Sequence, residues 1–353
     1  MAENRFYLDM HVIQTLPPSN VNRDDTGSPK TAVYGGVRRA RVSSQAWKRA
    51  MRKYFLNESE EDLGVRSLDV VKYVSDRIRA ADPSVNEENA MDMSEKLFNV
   101  AGIKTKDQKT KALFFLGKKQ AEELAAAAIQ GETDKKTVQE IFRSNPAVDI
   151  ALFGRMVADD PSLNEDASAQ VAHAISTHGV QTEFDFYTAV DDLAPEDNAG
   201  AGMLGTIEYN SSTLYRYANI AMHELSKQLA DKEQTIHAAK LFVEAFANSM
   251  PTGKANTFAN QTLPQLLMIN IRQDRPVNLV SAFENPISSK NGIVVPSINR
   301  LFDEVKKTEK FVSVPVKSFY VVDEDVNKPE WAVEEDTLSD LLNDFAEAAG
   351  MLL

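Results

Sequence analysis

Nine basic side chains stand between Arg23 and Lys53 (Arg23, Lys30, Arg38, Arg39, Arg41, Lys48, Arg49, Arg52 and Lys53) against only Asp24 and Asp25. Cations at that density suit a chain of phosphates, because each forked guanidinium takes two phosphate oxygens at once. Gly35 and Gly36 among them let backbone approach a ligand closely. Ser43–Ser44–Gln45 opens a helix whose first amides add anion-binding groups. Bond-making chemistry has no comparable signal. There is no G-x-x-x-x-G-K-[ST] loop and no G-x-G-x-x-G opening a helix, and Gly200, Gly202 and Gly205 read as a hairpin tip. His173 and His178 stand five apart in a helix-like stretch, off the i, i+4 spacing that turns two imidazoles to one metal, so a structural role is expected. Asp24–Asp25 and Asp191–Asp192 are acidic pairs that could seat a divalent cation. The expected role of Asp24 and Asp25 is instead local, pairing with nearby arginines and shaping their loop. No cofactor or metal is expected.

The elements around the cationic run follow from periodicity. Residues 5–15 alternate, with Phe6, Leu8, Met10 and Val12 on one face and Tyr7, Asp9 and His11 on the other, which predicts a half-buried strand. A loop opened by Pro17–Pro18–Ser19 runs to Pro29, and Gly35–Gly36 break into a strand over 37–42. A helix over 45–55 then places Trp47, Ala50, Met51, Tyr54 and Phe55 on one face and Gln45, Lys48, Arg49 and Arg52 on the other. Residues 59–168 read as helices broken at Pro83, Gly117, Gly131 and Pro146, without a strong strand signal. Within them, Lys104, Lys106, Lys109, Lys111, Lys118 and Lys119 are either a solvated face or a second anion-binding cluster. Segments 184–193 and 206–220 predict a β-hairpin with a tip at 194–202. Helices at 222–230 and 235–248 and strands at 266–272 and 311–322 follow. This order indicates an α+β sandwich with excursions rather than a doubly wound α/β sheet.

Composition bounds the rest. The 353 residues are 43% hydrophobic and 26% charged, a globular balance. Cysteine is absent, which excludes disulfide scaffolds, thiol nucleophiles and cysteine-ligated zinc. Apolar runs such as 112–116 are too short to span a bilayer, no secretory signal is visible, and a cytoplasmic protein is expected. The net charge of −13 argues against a nucleic-acid partner until it is divided: the Arg23–Lys53 window carries +7 and the remainder −20, with ten acids against Lys328 alone between Asp323 and Glu347. The hairpin supplies the aromatic half of a single-strand site in Phe184, Phe186, Tyr187, Tyr209, Tyr215 and Tyr217. A projecting hairpin cannot bury both faces, so one set of rings needs RNA or a neighbouring subunit.

Taken in order, Asn22-Arg23-Asp24-Asp25, residues 35–52 (GGVRRARVSSQAWKRAMR), 149–156 (DIALFGRM), 172–178 (AHAISTH), 188–193 (TAVDDL) and 215–220 (YRYANI) resemble the CasC-type backbone subunits of the type I-E CRISPR Cascade effector complex. The resemblance implies an RRM-like (ferredoxin-like) palm, an inserted helical fingers domain and a β-hairpin thumb. The corresponding division is palm 1–61, fingers 62–168, palm 169–179, thumb 180–214 and palm 215–353. It implies a non-catalytic subunit that binds CRISPR guide RNA, polymerises head to tail with copies of itself and meets target DNA through the guide. Its other partners would be the guide-processing endoribonuclease, the 5′-handle-binding subunit, and the large and small subunits of Cascade. Lys30, Ser43, Gln45, Lys48, Arg49 and Arg52 would sit on the guide backbone with Arg23 beside them, and Lys254 completes the RNA-contacting set. Met156, with Phe186, Tyr187 and Leu204 of the thumb, would wedge where a nucleotide is flipped out, and the finger lysines would touch target DNA. Two departures stand out: a longer thumb tip, and Phe186–Tyr187 where a tryptophan beside a phenylalanine is expected. Related type III backbone subunits cut target RNA with a loop aspartate and metal, which makes a ribonuclease using Asp24 the alternative. A solitary RNA-binding module is the third.

Overall fold

The computed structural model describes residues 5–58, 63–189, 193 and 203–353. The chain opens with β1 (Tyr7–Ser19), β2 (Thr31–Tyr34), β3 (Val37–Val42) and α1 (Ser44–Glu58). An inserted region follows: β4 (Val65–Ser67), α2 (Val70–Ala81), α3 (Glu87–Ala101), β5 (Thr105–Lys106), β6 (Lys109–Thr110), β7 (Phe114–Leu116), α4 (Lys118–Ile129), α5 (Lys135–Arg143) and α6 (Val148–Phe153). The chain then returns through β8 (Ala169–Val171), β9 (Ala174–Ser176), β10 (Glu183–Ala189) and β11 (Met203–Ala221). After α7 (Met222–Leu229), α8 (Lys232–Asn248), α9 (Ala255–Phe258) and β12 (Leu266–Arg272), it ends in α10 (Val294–Thr308), β13 (Lys317–Val322), β14 (Val333–Glu334) and α11 (Leu338–Leu352).

The heart of the sheet runs β12-β1-β11-β8, all antiparallel neighbours. Numbered along the chain, that order is fourth-first-third-second, with α1 after the first strand and α8 after the third. This is the ferredoxin-like α+β arrangement. Leu8, Met10 and Val12 of β1 meet Ala218, Ile220, Leu267 and Ile269 in one apolar layer under α1, α8 and α11. The inserted helices bury their own core around Val74, Phe98, Leu124 and Phe142. Two short pairings, β4 with β7 and β5 with β6, interrupt this region. They are two or three residues long, too brief to show alternation.

The opposite face of β1 departs from expectation. Asp9 and His11 are fully buried rather than solvent-facing, because a segment far along the chain closes over them. The Val277 amide donates to Asp9 Oδ2 (2.8 Å) and the Leu279 amide to the Tyr215 hydroxyl (3.0 Å). Tyr217 donates to Asp9 Oδ1 (2.8 Å), and His11 Nδ1 lies 2.9 Å from the Tyr215 hydroxyl. Leu279, Phe283, Ile298, Leu301 and Phe302 complete the cover. Other boundaries also move. β1 continues through Pro17–Pro18 to Ser19, and β2 forms ahead of Gly35. β13 begins only at Lys317, leaving Phe311 outside it and 91% exposed. His173 and His178 lie beside β9 rather than on a helix. Gly35, at φ +57°, approaches protein and not a ligand: a Cβ there would stand 1.7 Å from Glu284 O.

The buried polar row makes stability depend on pH in two opposed ways. Burial pushes the Asp9 carboxyl up to about 7 and, with the charge of Arg272, holds the His11 imidazole down to about 3. Unfolding lets Asp9 lose a proton above its ordinary 3.8, so its burial costs stability as pH rises from there to 7. Unfolding lets His11 gain a proton below its ordinary 6.5, so its burial costs stability as pH falls from there to 3. Within the overlap the slopes cancel. His11→Gln is expected to expose the Asp9 slope, lowering stability by up to ~1.4 kcal/mol per pH unit as pH rises between those limits. Chemical denaturation across that range measures it; a pH dependence identical to the parent's would refute the pairing of these two effects.

Candidate nucleic-acid interface

The helix α1 carries the site. Trp47, Met51 and Phe55 are buried and turn Gln45, Lys48, Arg49 and Arg52 outward, as the spacing predicts. Ser43 caps the helix, its Oγ accepting from the Ala46 amide at 3.3 Å, while its own amide donates to Asn22 Oδ1 at 2.8 Å. That second bond ties the loop carrying Arg23 to the start of the helix.

A groove runs along each side of α1. The smaller, about 410 Å³, takes Arg23, Asp24, Lys53 and Lys254 on its walls; the larger, about 790 Å³, takes Gln45, Lys48 and Arg52. Arg49 lines both and forms the ridge between them. Met156, 83% exposed, stands on the larger groove opposite α1. The structure therefore gathers Arg23, Gln45, Lys48, Arg49, Arg52, Met156 and Lys254 from four separate stretches of chain. Lys30 lies beside them in a shallow recess with Asn22 and Arg41, whereas Ser43 is buried at its capping post. Arg66 of β4 and Leu113 also line the larger groove. Sequence reasoning missed both, because that stretch carries no visible strand period.

The cations differ in freedom. Partial burial lowers the Lys48 ammonium, which sits 5.8 Å from the centre of the Phe153 ring. Arg52 stacks 4.4 Å from the Phe115 ring centre and pairs with Asp149 at 3.1 Å. Four arginines are internal: Arg272, paired with Asp274 at 2.8 Å, and three that are held by neutral acceptors. Arg39 donates to the carbonyls of Ser176 (3.0 Å), Phe283 (2.9 Å) and Glu284 (3.2 Å). Arg155 donates to the carbonyls of Leu163, Phe115 and Phe142, and Arg216 to Gln14 and the Phe246 carbonyl while lying 3.7 Å from the Trp47 ring centre. Burial lowers Arg155 to about 10 and Arg216 to about 9.

Asp24 shapes its loop, but not by pairing with arginines. Its Oδ1 accepts from the Thr26 hydroxyl (2.7 Å), the Thr26 amide (2.9 Å) and the Ser28 amide (3.0 Å). The Thr26 hydroxyl leads these contacts in holding the carboxyl below its ordinary value. Among the described residues no three His, Cys, Asp or Glu side chains converge as metal ligands. His173 Nδ1 is 3.1 Å from Arg41 Nη1, and His178 Nε2 accepts from the Thr213 amide, so the two rings have separate structural partners. Asp191–Asp192 and the expected tip at 194–202 lie outside the described residues.

The hairpin of β10 and β11 is two-sided. Its register pairs Phe186 with Thr206, Tyr187 with Gly205 and Thr188 with Leu204. Phe184, Phe186 and Leu204 therefore share one face, exposed by 65%, 65% and 62%. Tyr187 falls on the other face with Glu183 and Asp185. The finger lysines Lys104, Lys106, Lys109 and Lys111 flank the β5–β6 turn, where Lys109 pairs with Asp69 at 2.9 Å.

A family model described as CT1975-like protein matches residues 8–344. Among solved structures, a chain of a "CRISPR RNA-guided surveillance complex, pre-nicking" superposes with a TM-score of 0.85 at 32% identity, covering 97% of this chain and 100% of that one. A chain of a "CRISPR RNA-guided surveillance complex" superposes with a TM-score of 0.75 at 28% identity, covering 97% and 99% respectively. Comparison with curated proteins returns no match.

The two kinds of arginine predict opposite phenotypes. Arg39→Met strands three carbonyls and should lower unfolding stability by about 2–4 kcal/mol. Arg49→Ala, on the exposed ridge, should change stability by less than about 0.5 kcal/mol while eluting earlier from heparin. Thermal melts and heparin elution check both, and equal stability losses would contradict the placement of these side chains.

Proposed function

The chain belongs to the CT1975-like protein family, and from that membership we propose that it is a guide-RNA-binding backbone subunit of a type I-E CRISPR surveillance complex. Residues 1–61, 169–179 and 215–353 form the palm, 62–168 the fingers and 180–214 the thumb. The observation that carries this reading is the cationic ridge of α1, with a groove on either side lined by Arg23, Lys48, Arg49, Lys53 and Lys254. The solved chains that it resembles are named as parts of CRISPR RNA-guided complexes.

Arg23, Lys30, Gln45, Lys48, Arg49, Arg52 and Lys254 grip the guide backbone, and Ser43 holds the helix start that presents them. Backbone contacts carry no sequence information, so the protein positions the guide and base pairing reads the target DNA. Met156 of one copy and the Phe186–Leu204 face of a neighbour's thumb form the wedge; Tyr187, on the opposite face, supports the hairpin from behind. Copies stack head to tail in the cytoplasm, joined by the guide-processing endoribonuclease and by the 5′-handle-binding, large and small subunits. The subunit is a scaffold and not an enzyme. The finger lysines face target DNA.

Asp24 on the rim of the smaller groove is the one residue that a nuclease reading would use. The complex incubated with complementary RNA and magnesium should give no regularly spaced cuts; cuts abolished by Asp24→Ala would establish the nuclease instead. For the scaffold, Lys48→Ala with Arg49→Ala should weaken single-stranded RNA binding equally for unrelated sequences. It should also flatten log K against log salt by about 0.7 for each phosphate left without its cation. Fluorescence anisotropy measures both, and unchanged affinity would remove α1 from the interface.

A further inference from the structure

Asp149 is buried beneath the larger groove, where its carboxylate joins three segments. Oδ1 accepts from the Gly64 amide at 2.8 Å, and Oδ2 accepts from Arg52 Nε at 3.1 Å. Arg52 Nη2 donates to the Gly64 carbonyl at 3.2 Å. Asp149, Arg52 and Gly64 thus form a closed ring. Its members come from α6, from α1 and from the stretch that leads into the inserted helices, so both crossings between sheet layer and insert pass through it. Phe115 of the insert roofs the ring, against the Arg52 guanidinium. Gly64 is required by closeness: a Cβ there would lie 2.5 Å from Phe115 Cε2.

Arginine has two usable edges, and here they are divided. The Nε–Nη2 edge is committed to Asp149 and Gly64. Among the described residues nothing accepts from Nη1, and Arg52 lines the groove with its side chain 24% exposed. A lysine presents one point charge and cannot do both jobs.

We propose that Asp149 is a positioning residue for nucleic-acid binding: it fixes Arg52 so that the free guanidinium edge faces the phosphate chain while the fixed edge sets the insert against α1. The proposal rests on the reading of this groove as the guide track. Simple electrostatics predicts the opposite effect of losing Asp149, since removing a negative charge beside a polyanion should tighten binding. That difference in sign is the test.

The full chain is titrated with an end-labelled, mixed-sequence single-stranded RNA by anisotropy, alongside thermal melts. Asp149→Asn should weaken binding about tenfold, the size of one charge-assisted hydrogen bond. Asp166→Asn removes the same charge from the rim of the same groove without touching Arg52, and should leave affinity equal or higher. Arg52→Lys keeps its charge yet should lose as much as Asp149→Asn, and the double variant should be no weaker than either single one. Additive losses, or an Asp149→Asn variant that binds as tightly as the parent, would overturn the positioning role. If Asp149→Asn fails to melt cooperatively, Arg52→Lys decides alone: undiminished RNA affinity overturns the role. A parent chain that does not bind the RNA would instead overturn the guide-track reading itself.

Discussion

Two backbone amides help to close the sheet face that this topology could otherwise offer to a ligand. Val277 and Leu279 donate to Asp9 and to the Tyr215 hydroxyl, fastening the segment before α10 across the second face of the sheet. In RNA-recognition modules built on this topology, that face stacks bases on exposed aromatic side chains. Here its rings, His11, Tyr215 and Tyr217, are buried and hydrogen-bonded. With helices on one face and the Leu279–Thr308 cover on the other, the sheet becomes a buried slab. The two grooves that carry the basic run lie instead along α1 and the loops at its start.

That constraint explains why so much rests on α1. Its buried side is locked by Trp47, Met51 and Phe55, so its exposed side is fixed in azimuth, and the i, i+3, i+4 spacing of Gln45, Lys48, Arg49 and Arg52 becomes a rigid array. Asn22 holds the neighbouring loop to the helix through the Ser43 amide. The ring of Asp149, Arg52 and Gly64 sets the far wall of the larger groove. Both attachments are polar contacts shielded at least partly from solvent, and neither relies on exposed charge pairs, which are worth little.

The sequence makes α1 legible because a helix presents its apolar side at fixed spacing, and that spacing survives any tertiary context. The ferredoxin-like core is legible for the same reason: Leu8, Met10 and Val12 alternate strictly. The burial of Asp9 and His11 is not legible, since it depends on contacts more than two hundred residues away; a polar residue on a strand reads as solvent-facing until its cover is known. Arg39 and Arg49 show the same limit. Both belong to one basic run, but only the approach of the Ser176, Phe283 and Glu284 carbonyls makes Arg39 internal. The short strands β4 and β7 lack the length to reveal a period, and with them Arg66 was hidden.

The charge distribution then takes a sharper form than a division into +7 and −20. Arg39 stands inside the +7 window but is spent on carbonyls within the protein. Arg155 and Arg216 lie outside the window, and each is held by neutral acceptors rather than a bonded carboxylate. An arginine satisfied by carbonyls has no bonded carboxylate to offset its field, whereas in an ion pair the partner's charge opposes it. Arg155 stands in the wall of the larger groove, so its charge acts there through protein rather than water, where screening is weaker. The cations of α1 are therefore backed by a buried one, in a groove that Glu165 and Asp166 also line. The acids of residues 323–347 contribute to the average of −13 without entering either groove. Placement on α1, more than the sum over the chain, decides what this surface attracts.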